Sequence, residues 1–218
     1  MLVFQLLLFV LIAQAAYLAS TLIAARLLGA NAESARLGVG PKLFAFSIGA
    51  TRIQVCALPI VAWVALEGMA DAEGPPVGFR AMHPLRRAAV TLSSWALPAL
   101  LAVLLIGPGR AAHHLVTALP QWTRVLLHPD AAVGLWRAYL ALPLPAALGV
   151  FLAKMIAINL LPFPSLSGGL TLRYLLAWVF PSSDGASRGW ITWHAITSVV
   201  ILVLGLRMLY VLYLALTG

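Results

Sequence analysis

The chain has 218 residues, of which 62% are hydrophobic and 9% charged, and its mean hydropathy is +0.99. So little polar surface excludes a water-soluble domain of this size and reads as a single integral membrane domain. The net charge of +8 is carried by arginines that flank apolar segments, as topology signals do; with no basic patch interleaved with aromatics, nucleic acid is excluded as a partner.

Four segments have the length of about 20 apolar residues that a membrane crossing needs. They cover residues 2–28, 88–106, 143–161 and 190–216. The first has no basic residue ahead of its apolar run and no small-residue cleavage site, so it reads as a retained helix rather than a signal peptide. Between the first two segments, "GVGPKLFAFSIGATRIQVCALPIVAWVAL" is punctuated by glycine and proline and partly alternates polar with apolar residues. This predicts a β-hairpin or small sheet over 38–66, held against protein or at the interface because an open edge cannot face lipid. It contains the single cysteine, Cys56, which excludes an internal disulfide framework.

Between the second and third segments, "AAHHLVTALPQWTRVLLH" has apolar residues at helical spacing and predicts a short interfacial helix. The expected fold is therefore an all-α polytopic membrane protein with about four spanning helices and one small membrane-associated hairpin. Nowhere is there room for a PDZ or other inserted soluble domain. Nine of the 14 Lys and Arg residues fall on the side that holds the 29–87 and 162–189 loops. The positive-inside rule puts that side in the cytoplasm and both termini outside.

The third segment ends in "NLLPFPSLSGG", residues 159–169, where Pro162 and Pro164 stop the helix and Gly168 and Gly169 allow unusual dihedrals for a restart. This stretch resembles the site-2 protease signature Asn-x-x-Pro-x-Pro-x-x-Asp-Gly-Gly, with Asn159, Pro162, Pro164, Gly168 and Gly169 retained. The segment "AARLLGANAESARLGVGPKLFAFSIGATRIQVCALP" is similar to the one that follows that family's His-Glu-x-x-His. "RAAVTLSSWALP", residues 87–98, resembles the Arg-x-x-Val-x-x-Ala-Gly-Pro-x-x-Asn stretch opening its second core helix. The three occur in the family's order across nearly the whole chain.

That resemblance implies an intramembrane zinc protease core, and it also locates what has been lost. Counting back from Ala25-Arg26, the His-Glu-x-x-His positions are Tyr17, Leu18, Ala19, Ser20 and Thr21. The two histidine ligands become Tyr17 and Thr21, the glutamate base becomes Leu18, and the aspartate ligand becomes Ser167. Zinc needs about three nitrogen, thiolate or carboxylate donors, and a leucine cannot take a proton from water. Shifting the register does not help, since residues 1–32 contain no His, Asp, Glu or Cys. Another departure is Pro59-Ile-Val-Ala-Trp-Val in place of the family's Pro-x-Gly-Gly-Tyr-Val, a loop that helps hold an unwound substrate.

The expectation is a catalytically inactive homologue, without zinc, in a bacterial inner membrane. It would bind or scaffold another transmembrane protein within the bilayer. The alternatives are an active metalloprotease with unusual or partner-supplied ligands, and a transport-complex subunit. No internal repeat supports transport. His113, His114 and His128 form a group that reads as an interfacial polar stretch before it reads as a metal site. Lys154 and His194, inside or near spanning segments, are functional candidates by position; snorkelling and an end-of-helix hydrogen bond are their ordinary explanations. Arg207 has no acid in any spanning segment to pair with, leaving backbone carbonyls or a partner chain.

Overall fold

The computed structural model describes residues 2–69, 77–164, 166–180 and 188–217. The described residues are mostly helical, with one two-stranded antiparallel sheet. They form two compact units, one of residues 1–98 and 171–184, the other of residues 99–170 and 185–218.

The first unit opens with α1 (Leu2–Leu27). Its 26 residues contain no glycine, proline or acidic residue, so nothing interrupts the helix until Gly29. It is apolar all round, and Phe4, Ile23 and Leu27 stay exposed. Within it, Phe4–Leu27 is long and apolar enough to cross a membrane, at about 36 Å for a hydrocarbon core of about 30 Å.

Strands β1 (Ala32–Ile48) and β2 (Thr51–Leu66) follow. The hairpin begins six residues before the expected 38. Ala, Glu and Ser have weak strand preference, and it is pairing with the far end of β2 that draws residues 32–37 into the sheet. Both strands are bent. Ala35 is partnered by Val64 on one side and by Ile53 on the other, and Leu37 by Ala62 and Val55; residues 42–48 then pair back onto 51–56. The bend comes at Gly38, whose φ of +93° favours glycine, and where an added Cβ would lie 2.6 Å from the Leu58 carbonyl oxygen. Ala35 and Ile53 are buried against Leu18 of α1, with Leu22, Leu37, Ala62 and Val64 around them. The neck is closed by Asn31, whose backbone oxygen accepts from the Glu67 N–H and whose side-chain amide donates to Glu67 Oε2.

After the short α2 (Gly78–Ala81) come α3 (Pro84–Ser93) and α4 (Ala96–Ile106). Together, Pro84–Ile106 is the second stretch long and apolar enough to span a membrane. It starts four residues before the expected 88, at Pro84, which sits in the first turn where its missing N–H is no loss; the His83 side chain accepts from the Leu85 N–H. Most of α8 (Ser167–Val179), from Thr171 onward, also belongs to this unit.

The second unit contains the rest of α4, then α5 (Pro108–Leu127), α6 (Pro129–Leu140), α7 (Leu144–Asn159) and α9 (Arg188–Thr217). The stretch expected as one short helix is α5, and a further helix, α6, follows it. α5 runs 20 residues, and His128-Pro129 ends it and starts α6, because a proline at the first helical position cannot continue the preceding helix but fits the next. α7 is a shorter apolar helix of 16 residues, and α9 packs through the buried Val211 onto Val133 and Trp136 of α6.

Candidate functional site

On α1, Tyr17 and Thr21 lie one helical turn apart, as their spacing of four requires. The Thr21 hydroxyl donates to the Tyr17 carbonyl at 2.8 Å, the usual way for a helical threonine to satisfy its proton. The Tyr17 ring lies against Trp95, with centroids 5.0 Å apart. Leu18 is 8% exposed and forms the α1 side of the apolar cluster with Ala35 and Ile53. The position that the resemblance assigns to a proton-accepting glutamate is therefore a packing residue beneath the hairpin.

Ser20 belongs to the same turn and was not singled out by its sequence. It is buried; its hydroxyl donates to the Ser93 carbonyl at 2.6 Å and accepts from the Leu97 N–H at 3.2 Å. It thus satisfies one group on each side of the break at Ser94-Trp95 between α3 and α4. The signal available in the sequence was Pro98, which removes a backbone donor in the first turn of α4 and marks the break.

α8 packs on α3 through polar and aromatic contacts. The Thr91 hydroxyl lies 2.9 Å from the Ala88 carbonyl and shares a hydrogen bond with the Thr171 hydroxyl at 3.0 Å. The Arg87 guanidinium stacks over the Tyr174 ring at 5.0 Å, a favourable cation–π contact for a buried arginine.

The break at 159–169 has a physical basis different from the one its glycines suggest. α7 ends at Asn159, whose side-chain amide donates to the Met155 carbonyl at 2.9 Å. The turn is closed by the Leu160 N–H to Ile156, the Phe163 N–H to Leu161 and the Leu166 N–H to Phe163. Pro162 and Pro164 contribute no donors to it, and Pro164 is buried. Neither Gly168 nor Gly169 has a positive φ, so unusual dihedrals are not their role. They lie in the first turn of α8, where a Cβ on Gly168 would sit 2.2 Å from the Leu160 carbonyl oxygen and one on Gly169 2.1 Å from that of Phe163. Both are needed for close backbone approach. Ser167, the first residue of α8, is buried in this turn at 7% exposure.

No family of known proteins matches the chain, and no curated protein matches it significantly.

As a donor set, Tyr17, Thr21 and Ser167 do not fit zinc. All three are neutral hydroxyls, and the proton of Thr21 is already directed to a backbone carbonyl; none supplies the charge that would offset dehydrating a dication. Among the described residues, no group of three His, Cys, Asp or Glu side chains is gathered at one place. The His113 and His114 rings touch at 5.5 Å, but His128 follows the end of α5, about 21 Å further along the helix axis from His114. The three histidines are therefore not one cluster.

Lys154 turns to a neighbouring helix. Its ammonium donates to Gln121 Oε1 of α5, and it lines a cavity with Arg110, His114 and Tyr139. Burial, then the nearby charges of Lys154, His113 and Arg110, lower the pKa of His114 below its ordinary 6.5. His194 is exposed on α9; its backbone carbonyl accepts from Thr197. The Arg207 guanidinium stands 5.5 Å over the Tyr210 ring, an aromatic neighbour one turn away.

Proposed function

We propose that this chain is a catalytically inactive, site-2 protease-like membrane protein that binds or scaffolds another transmembrane protein. The observation that carries the reading is Leu18. At the position of the expected general base stands a leucine buried in the apolar contact between α1 and the hairpin, flanked by hydroxyls that cannot replace zinc ligands. Support for the scaffold comes from the order of parts: an apolar helix, a bent hairpin, a second apolar helix, and a helix broken after Asn159 at a Gly-Gly contact. In this reading α7 and α9 complete four crossings of a bacterial inner membrane with both termini outside, and the old substrate groove receives a helix of the partner without cleaving it.

Metal analysis of the purified chain tests the loss of chemistry. Far less than one zinc per chain is expected, with a melting temperature unaffected by chelator. Stoichiometric zinc that disappears in a Thr21→Val, Ser167→Ala double variant would overturn the reading and restore the metalloprotease. Purification in mild detergent tests the binding role: a transmembrane protein should co-purify and resist cleavage, and recovery of a cleaved partner would refute the assignment.

A further inference from the structure

A second site lies apart from the Leu18 region, and its case does not rest on the protease resemblance. Between α5, α6 and α7 is a cavity of about 290 Å³. Its polar lining is Arg110, His114, Gln121, Lys154 and Tyr139, whose hydroxyl donates to the Ala147 carbonyl, and its apolar walls include Leu135 and Val150. Among the described residues no carboxylate lines it, so the basic side chains of Arg110 and Lys154 share the cavity without a counter-charge. The Lys154 ammonium is held by Gln121, a neutral acceptor that orients the charge without cancelling it. His114 Nδ1 is buried and has no hydrogen-bond partner among the described residues, although buried polar atoms of folded proteins are almost always paired. A cation on the apolar helix α7 without an acid calls for a ligand or a relay, and a basic pocket with apolar walls matches the headgroup of an anionic lipid.

We propose that this cavity binds the phosphate of an anionic phospholipid headgroup. Arg110 offers paired N–H donors suited to phosphate oxygens, Lys154 adds a point charge, and His114 Nδ1 completes the set as a donor. At about 290 Å³ the cavity is at the small end of ligand pockets, roughly 300–1,000 Å³. It holds a headgroup, while the acyl chains lie along the apolar surface of the helices. The apolar walls favour a lipid over free phosphate, which has no use for them.

The test uses the full chain, stripped of lipid in a neutral detergent, with thermal stability followed as three probes are titrated: short-chain phosphatidylglycerol, short-chain phosphatidylcholine and inorganic phosphate. Phosphatidylglycerol should raise the melting temperature saturably, and phosphatidylcholine should not. Inorganic phosphate should act only at concentrations at least tenfold higher. Arg110→Gln and Lys154→Met should each weaken the phosphatidylglycerol response about tenfold, whereas Arg207→Gln, remote in sequence and outside the lining, should leave it unchanged. Arg110 is exposed, so its variant folds even if Lys154→Met does not. Equal responses to the two lipids, or an Arg110→Gln titration that matches the parent, would overturn the proposal. Inorganic phosphate as potent as the lipid would overturn the lipid assignment in favour of a soluble anion.

Discussion

Leu18→Ala is the substitution that most directly tests how the Tyr17–Thr21 turn is used. Leu18 is 8% exposed and contacts the buried Ala35 and Ile53. Truncating a buried leucine to alanine removes transfer energy and leaves a void, about 2–5 kcal/mol in total. The shell here is formed by Leu22, Leu37, Ala62 and Val64, all half-buried, so it can relax inward and the loss falls at about 2–3 kcal/mol. Because the contact joins α1 to the hairpin, the loss should appear first as opening of the sheet. Hydrogen exchange in detergent micelles reads this directly. The backbone amides of residues 34–37 and 52–55, which pair with one another, should exchange about 30- to 140-fold faster. Those of α5 and α7, in the other unit, should not change. Unaltered exchange in the sheet would refute the packing role of Leu18, and a uniform rise across the chain would refute its confinement to the hairpin contact.

Gly169→Ala should be far more damaging than Gly149→Ala. The new Cβ at 169 meets backbone at Phe163, whereas at 149 it meets only side-chain atoms, Ile106 Cγ2 at 2.7 Å and Leu105 Cβ at 3.1 Å, which yield by a small helix shift more readily than a backbone carbonyl does. Melting temperature and monodispersity measure the contrast, and equal effects would remove the close-approach explanation. Since the folded-state pKa of His114 lies below 6.5, its protonation favours the unfolded chain. Stability is complete above pH 6.5 and falls as the pH drops from there to the folded-state value. His114→Gln should flatten that part of the stability–pH profile, and an unchanged acid limb would show that other groups control it. In a Cys56→Ser background, cysteines placed at positions 71 and 130 should be labelled from opposite sides of the membrane, 71 from the cytoplasm; position 71 lies outside the described residues. Labelling from one side would break the four-crossing arrangement.

What the sequence alone determined follows from terms that are local to it. The uninterrupted apolar run of α1 and the prolines after Asn159 set a helix and a helix end wherever they occur, because they act through propensity and missing donors. Composition alone also showed that residues 1–32 hold no usual metal ligand. Long-range contact decided the rest. The Ala-Glu-Ser stretch at 32–34 became strand only because residues 62–66 were there to pair with it. Gly168 and Gly169 looked like conformational hinges, and only the nearness of the Leu160 and Phe163 carbonyls showed that they are contact points. Leu18 could be read from sequence as a lost base. That it is the apolar link between α1 and the hairpin needed the positions of Ala35 and Ile53, 17 and 35 residues further along the chain. Likewise, Lys154 was visible as a lone cation, but its place beside Arg110 and His114 depends on how α5 packs on α7, which no local pattern encodes.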